Sequence, residues 1–187
     1  MKDQYHYIIY KPFGMLSQFI NNKTRKKPLL NELYDFAKGT MAIGRLDAHS
    51  EGLLFLTTDG QVSEEVRSRK VEKEYWVQVD GDITHEAIEK LSAGTVITVN
   101  KTNYKTLPCK VKVIDSPNLP ERGKKIRDNR HGPTTWLSII LTEGKNRQVR
   151  KMTASVGFPT LRLVRYRIGN ITIDNMSLGD VKEVLSF

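Results

Sequence analysis

The sequence has little of what cross-links or anchors a protein. One cysteine, Cys109, occurs among 187 residues, which excludes an internal disulfide framework and a zinc site built from several thiolates. No apolar run approaches the ~18 residues that a membrane span requires, and residues 1–4 are not followed by the apolar stretch of a secretory signal. These absences predict a cytoplasmic protein with a reduced thiol and no membrane partner.

The motifs that hold common cofactors are also absent. The sequence contains neither G-x-G-x-x-G nor G-x-x-x-x-G-K-[ST], which are the phosphate-binding patterns of dinucleotide and nucleotide sites. Asp47, His49 and Ser50 are too close in sequence to form a catalytic triad by themselves. Four histidines lie scattered without metal-ligand spacing, at His6, His49, His85 and His131. We therefore expect any chemistry to proceed without a metal or a cofactor.

Positive charge is concentrated in one half of the chain. The net charge is +9; residues 1–100 hold 13 basic and 14 acidic side chains, whereas residues 101–187 hold 17 and 7. A basic half joined to a neutral half favours a polyanionic partner, and nucleic acid is the leading one because Lys and Arg neutralise phosphates. A surplus of charge that only keeps the protein soluble is the alternative.

Periodicity and turn residues predict an α+β protein with a mixed, mainly antiparallel sheet flanked by helices. The alternation is clearest where Tyr75, Val77 and Val79 share one face of a strand. The predicted strands cover residues 5–10, 41–43, 53–57, 74–79, 107–114, 136–141 and 160–168, and the predicted helices cover residues 28–38, 61–69, 84–93 and 146–156. The length is close to that of one domain, so we expect residues 1–187 to form a single domain.

Two segments are predicted to be irregular. Residues 21–27 form a polar, basic connector, and residues 116–135 hold three prolines with five basic and two acidic side chains. The second segment has the composition of a long surface loop. Long ordered loops in compact domains are often functional, and flexibility explains the same composition equally well.

The segment GRLDAHSEGLLFLTTDG, residues 44–60, is the densest feature of the sequence. Its polar turn bears Arg45 and Asp47 and leads into an apolar strand that would hold the turn rigid, as is usual for functional loops. The alternative is structural, because an aspartate in a turn commonly caps a backbone N–H or pairs with a neighbouring arginine.

A second dense feature is LTEGKNRQVRKM, residues 141–152. On a helical wheel Val149 and Met152 form a narrow buried stripe, while Arg147, Arg150 and Lys151 occupy the remaining surface. A solvated basic face explains this pattern. The sharper hypothesis is that Arg150, the cation nearest the stripe, reaches a partly buried anion.

Four segments, KPFGMLSQ, GRLDAHSEGLLFLTTDG, KEYWVQV and LTEGKNRQVRKM, resemble in that order the motifs of RNA pseudouridine synthases of the RsuA branch. The resemblance extends from residue 5 to residue 184 and implies the pseudouridine synthase fold and a cofactor-free isomerase that acts on a uridine of 23S rRNA. It also implies roles for single residues. Asp47 matches the catalytic aspartate, Tyr75 the active-site tyrosine, Arg150 the basic residue that pairs with the aspartate, and Arg45 the residue that helps to expel the base.

The chemistry implied by the resemblance suits these residue types. An ionised Asp47 in a partly desolvated pocket needs a nearby cation, for which Arg150 is the candidate. Tyr75 offers a surface on which the flipped base can stack, although an inward-facing aromatic on a strand fits the alternation equally well.

Only four residues precede the first predicted strand, so we expect no S4-like RNA-binding domain at the N-terminus and recognition of RNA by the catalytic domain itself. A monomer is the favoured state. The residues expected to bind RNA, besides Arg45, are Lys11, Arg147, Lys151, Arg122, Lys124, Lys125 and Arg127. Two alternatives stay open: a non-catalytic rRNA-binding or ribosome-assembly factor on the same fold, and a hydrolase that uses Asp47 with Glu51 on small glycosides.

Overall fold

The structure is a computed structural model and describes residues 4–20, 27–68 and 71–187. Its strands are β1 His6–Lys11, β2 Met41–Ala42, β3 Glu51–Thr57, β4 Lys73–Asp80, β5 Val96–Val99, β6 Thr102–Lys105, β7 Lys110–Ile114, β8 Thr134–Leu141, β9 Thr160–Ile168, β10 Ile171–Thr172 and β11 Val181–Val184. Its helices are α1 Gly60–Arg67, α2 His85–Ser92 and α3 Gln148–Ser155, with 3₁₀ turns at Leu30–Glu32 and Asn129–His131.

One large sheet organises the chain. Its strand order is β11-β1-β3-β9-β4-β8-β7, with β10 paired to β9 and β2 paired to β3. Among these pairings β3–β9 is parallel and the others are antiparallel. The strands β5 and β6 form a separate hairpin. The predicted class, α+β with a mixed and mainly antiparallel sheet, is confirmed.

The core has two parts that meet at the β3–β9 pairing. All seven residues of β3 are buried, because Leu53 and Phe55 pack into one apolar cluster and Leu54 and Leu56 into another on the opposite face. In contrast β4 alternates: its buried face packs with α2, α3 and the hairpin. The parallel pairing joins Glu51 to Val164, and the candidate site lies where these two parts adjoin.

Most predicted elements exist, with ends shifted by a few residues. The strand at residues 160–168 and the N-cap of α2 agree with the prediction, since the Thr84 side chain accepts a hydrogen bond from the backbone N–H of Ala87. The helix expected at residues 28–38 is wrong, because only Leu30–Glu32 forms a 3₁₀ turn. The strand expected from residue 107 begins at Lys110.

Some expectations fall outside the described residues or were not made. The connector predicted at residues 21–27 lies outside them except for Lys27, as does the last residue of the helix predicted at 61–69. The hairpin of β5 and β6 and the strands β10 and β11 were not predicted. Within the described ranges, no helix is both long and apolar enough to span a membrane.

Candidate active site

A pocket of about 70 Å³ lies between the loop that precedes β3 and the segment that links β8 to α3. It brings together four residues that were singled out from the sequence, and they are Arg45, Asp47, Tyr75 and Arg147, of which the last is a hundred residues away from Asp47 in the chain. Its full lining is Arg45, Leu46, Asp47, Ser50, Tyr75, Leu141, Glu143, Gly144, Lys145, Arg147, Gln148, Val149 and Leu163.

The backbone on both sides of Asp47 is held in place. The Ser17 hydroxyl donates to the carbonyl of Leu46 at 2.9 Å and accepts from its N–H at 3.0 Å. The N–H of Gly14 donates to the carbonyl of Ala48 at 2.6 Å, and the Leu46 side chain is buried in the core. The predicted rigid turn is therefore fastened to the segment that follows β1, so the carboxylate has a fixed position at the pocket.

The carboxylate of Asp47 pairs with Arg147 rather than with Arg150. Arg147 Nη1 lies 3.2 Å from Asp47 Oδ2, whereas Arg150 Nη2 donates to the carbonyl of His49 at 2.7 Å and lies 3.4 Å from Ser50 Oγ. The direct pairing expected for Arg150 is thus corrected. Arg150 instead fixes the turn that carries Asp47, and Asp47 still acts on it electrostatically: burial and Arg147 lower the pKa of Arg150, and Asp47 opposes them.

Arg147 reaches Asp47 because it is not part of the helix. The prediction began the helix at residue 146, but α3 begins at Gln148 and the backbone of Arg147 is left-handed, with φ 52°. This conformation is uncommon for a residue other than glycine. It turns the Arg147 side chain away from the helical wheel and toward the loop before β3.

Glu143 is a pocket residue that the sequence reasoning missed. It is 4% exposed and accepts hydrogen bonds from Tyr104 Oη at 2.6 Å, the N–H of Leu107 at 2.8 Å and Gln148 Nε2 at 2.6 Å. It thereby ties the β5–β6 hairpin to the start of α3. The sequence did contain a signal for this residue, because Glu143 is the one carboxylate within the basic segment 141–152. A lone carboxylate in such a segment indicates that it has a hydrogen-bonding partner in the fold.

The position of Tyr75 is compatible with both interpretations considered for it, and its contact with a base stays a prediction. The residue is buried in the core beside Leu46 and Val149, and it also lines the pocket. The pairing of β4 with β9 shifts register between Glu74 and Tyr75, and such irregularities re-aim a side chain next to a site.

Lys11 does not have the position expected of an RNA contact. Its side chain is fully buried, and Nζ donates to the carbonyls of Pro12 and Met15 at 2.8 Å each. Burial lowers the pKa of Lys11 to about 7, opposed by Glu51. The expected contact with RNA is therefore corrected: Lys11 holds the turn after β1.

The predicted basic surface contains cations that have partners within the protein and cations that are exposed. Arg122 donates to the carbonyls of Lys124 and Lys125, Arg127 pairs with Asp80, and Lys151 Nζ donates to the carbonyl of Thr98 at 2.8 Å. These three cations have partners within the protein, and the expectation that they bind RNA stays a prediction. In contrast Lys124 and Lys125 are exposed.

Within the described parts of the chain, no three His, Cys, Asp or Glu side chains are grouped so that they could hold a metal ion. The expectation of chemistry without metal or cofactor stays a prediction. What the pocket does offer is the partly exposed carboxylate of Asp47, a facing guanidinium and an aromatic ring, with the second carboxylate, Glu143, buried and already hydrogen-bonded.

Comparison with known proteins identifies the class. The fold is similar to that of a solved structure described as a pseudouridylate synthase, with a TM-score of 0.77 and 22% identity over 98% of this chain and 71% of the other. The sequence family described as RNA pseudouridylate synthase matches residues 5–155. The chain belongs to the RNA pseudouridylate synthase family, as the motifs predicted, and is therefore an RNA-modifying isomerase.

Two relatives narrow the comparison further. Over 95% of its length, the chain is 46% identical to ribosomal large subunit pseudouridine synthase E of Vibrio parahaemolyticus, of which it covers 72%. It is 40% identical over 92% of its length to the protein of the same name from Xanthomonas campestris pv. campestris, of which it covers 91%. Similarity of this extent includes every segment that lines the pocket.

Proposed function

We propose that this protein converts a uridine of 23S rRNA to pseudouridine in the cytoplasm, with Asp47 as the catalytic carboxylate. The observation that carries the proposal is the position of Asp47, which is fixed on a rigid turn at the pocket opposite Arg147. The large-subunit rRNA substrate is supported by the names of the relatives that match most of the chain.

The reaction breaks the N1–C1′ bond of uridine, turns the uracil and rejoins it through C5. Because neither C1′ nor C5 is accessible in stacked RNA, the nucleotide must first leave its stack. Arg45 lines the pocket, and we assign to it the filling of the resulting gap, which offsets part of the unstacking free energy. Tyr75 supports the extruded base in the pocket.

Asp47 acts as an anion in either of two routes. In the first, its oxygen attacks C1′ and the uracil leaves with the bonding pair; C5 then attacks C1′, Asp47 departs, the C5 proton is lost and N1 is protonated. In the second, Asp47 removes the 2′ proton while the uracil leaves with the N1–C1′ bonding pair, which gives a glycal; C5 then attacks C1′, the proton returns to C2′, the C5 proton is lost and N1 is protonated. The two routes differ at the C2′–H bond, so uridine deuterated at C2′ gives a primary isotope effect only in the second.

Arg147 and Arg150 would stabilise the anionic carboxylate in different ways. Arg147 supplies the neighbouring positive charge, which favours the ionised form. Arg150 holds the carbonyl of His49, two residues beyond Asp47. A single carboxylate is sufficient because the departing uracil delocalises its own negative charge.

Recognition of RNA is assigned to the surface of the domain itself. Lys124 and Lys125 face solvent and are therefore the loop residues best placed to contact phosphates. Since one chain supplies the whole pocket, we further propose that the protein acts as a monomer.

The experiment that tests the function is release of tritium from 23S rRNA labelled at C5 of uridine, which accompanies pseudouridine formation. The purified protein is expected to release tritium without added metal or cofactor, and rRNA from cells that lack the protein should have lost one or more pseudouridines. Binding to rRNA without release would favour the non-catalytic assembly factor. The glycosidase alternative is disfavoured because Glu51 is buried against Arg162 and cannot meet a substrate.

A further inference from the structure

Three planar groups lie together beside the candidate active site. The Arg122 guanidinium carbon is 4.4 Å from the centroid of the Phe13 ring, and the Phe13 and His49 rings stack with centroids 5.3 Å apart and an angle of 12°. No further ring among the described residues stacks on His49. We call Arg122, Phe13 and His49 the stacked row.

The stacked row is assembled from three distant segments and fixed at both ends. Arg122 is held by the carbonyls of Lys124 and Lys125. At the other end Arg150 binds the carbonyl of His49 at 2.7 Å. The turn that carries Phe13 is joined to the loop of His49 by the hydrogen bond from Gly14 to Ala48. Because the groups are held in place, little side-chain freedom remains to be lost on binding.

Positive charge surrounds the end of the row. Burial lowers the pKa of His49, and four cations lower it further: Lys27, Arg150, Arg147 and Lys124. The imidazole is therefore uncharged at neutral pH but lies in a positive field. A partly exposed neutral ring within a positive field suits a ligand that has both a flat face and an anionic group, which describes a nucleotide.

We propose that His49, supported by Phe13 and Arg122, is a stacking surface for the base of a nucleotide next to the uridine that enters the pocket, with its phosphate near Lys27 and Lys124. This inference rests on the proposed function, since it assigns a flanking subsite to the same active site. When the target base leaves its stack, the neighbouring base loses a partner, and His49 replaces it.

The test is a double-mutant cycle that combines one substitution in the protein with one change in the RNA. An rRNA fragment that the protein binds is prepared with an abasic nucleotide at one position at a time, and its affinity is measured for the wild type and for His49→Ala. Loss of one base–aromatic contact weakens binding by about 5- to 150-fold. At one position the abasic RNA is expected to bind both proteins equally, because base and ring form one interaction. The proposal is overturned if, at every position, the affinity lost through the abasic nucleotide and the affinity lost through His49→Ala are independent, so that the combined loss is the product of the two. In that case no base stacks on His49.

Further variants separate stacking from other effects. His49→Phe is expected to retain most of the affinity because a flat ring remains, and Phe13→Leu to lose part of it because the support is lost. His85→Ala, at an exposed histidine of α2, is the matched control and should bind as the wild type does. An affinity of His49→Phe as low as that of His49→Ala would contradict stacking.

Tritium release by the wild type from the same fragment distinguishes the two proposals. The position that couples to His49 should adjoin the uridine that is isomerised. Absence of release would overturn the proposed function, while the binding cycle would still report whether a base stacks on His49. Coupling at a position remote from the modified uridine would overturn the placement of the subsite.

Discussion

Asp47 and Glu51 lie four residues apart in one motif, yet their surroundings differ. The Asp47 side chain is 30% exposed and, among the described residues, has one ion-pair contact, at 3.2 Å, to an Arg147 that is itself 45% exposed. Glu51 is fully buried, and both its oxygens accept hydrogen bonds from Arg162, at 2.9 and 3.0 Å. Each carboxylate faces a guanidinium, but only Asp47 does so where a substrate can enter.

The difference separates a buried structural ion pair from a carboxylate that is accessible at the pocket. A fully buried carboxylate engaged by a two-point guanidinium is inaccessible to a ligand, and its role is to avoid an unpaired buried charge. Asp47 Oδ1 accepts no hydrogen bond from the described part of the chain, and its partner can move into solvent. The contrast therefore supports the proposal that Asp47 is the catalytic carboxylate, and it indicates a structural role for Glu51.

Asp47→Asn is expected to abolish activity, the largest effect in this comparison, because the amide is neither a nucleophile nor a base. Tritium release from labelled rRNA should fall to background while the urea midpoint stays near that of the wild type, since an exposed ion pair contributes only about 0–1 kcal/mol. Asp82→Asn, at an exposed residue before α2, is the control. Turnover retained by Asp47→Asn would remove Asp47 from its role.

Glu51→Gln is expected to lower the free energy of unfolding while the candidate catalytic residues at the pocket stay in place. Arg162 would be left buried with an unpaired charge, which costs about 3–5 kcal/mol, whereas the pocket keeps its lining. Urea denaturation measures the free energy of unfolding, and Glu64→Gln, which alters the exposed pair with Arg67 on α1, should change it by less than about 0.5 kcal/mol. If Glu51→Gln and Glu64→Gln changed the free energy of unfolding equally, Glu51 would not be a structural anchor.

Arg150→Ala is expected to reduce kcat more than RNA affinity. The guanidinium holds the carbonyl of His49, so its loss lets the turn shift, and a displacement of about 1 Å at a reacting group can lower the rate about 100-fold. Single-turnover kinetics and a binding titration measure the two quantities. Arg147→Ala is the comparison variant, and should weaken binding as well because this residue faces the pocket. A loss confined to affinity in Arg150→Ala would make Arg150 a phosphate contact.

Burial of Lys11 links stability to pH. Its pKa is lowered to about 7 from 10.5, so between these values the unfolded chain carries a proton that the folded protein lacks. Unfolding then takes up a proton, and stability rises with pH across this window. The free energy of unfolding, relative to that of Lys11→Met, should therefore increase between pH 6 and pH 9. A difference that is independent of pH would show that Lys11 does not titrate in this range.

Local patterns predicted the sheet better than the connections. Residues 28–38 have the composition of a helix, but Leu30 is buried and the backbone N–H of Ala37 donates to Tyr7 Oη at 3.2 Å, so tertiary packing replaces helical hydrogen bonds. The hairpin of β5 and β6 turns at Asn100 and Lys101, both with positive φ. An asparagine between two alternating segments was the signal for that turn.

The sequence also identified Asp47 and Tyr75 as pocket residues but not which cation faces the carboxylate. A helical wheel assumes that the helix has already begun, and the left-handed Arg147 lies before its first turn. That geometry depends on hydrogen bonds that join Glu143, Gln148 and the β5–β6 hairpin. The contact of Tyr104 with Glu143 joins residues 39 apart, and a contact over that distance leaves no periodic trace in the sequence.

The smallest expected effect concerns the predicted loop at residues 116–135. Here too, cations that are paired within the protein can be compared with cations that are exposed. Lys124→Gln with Lys125→Gln should reduce the slope of log affinity against log salt by about 1.4, because each phosphate contact with single-stranded RNA contributes about 0.7. Titrations at several salt concentrations measure this slope, and Lys112→Gln on the edge strand β7, which removes one positive charge outside the loop, is the control. Arg127 is already engaged by Asp80, so Arg127→Gln should lower stability while leaving the slope unchanged. An unchanged slope in the double variant would show that these lysines do not contact RNA.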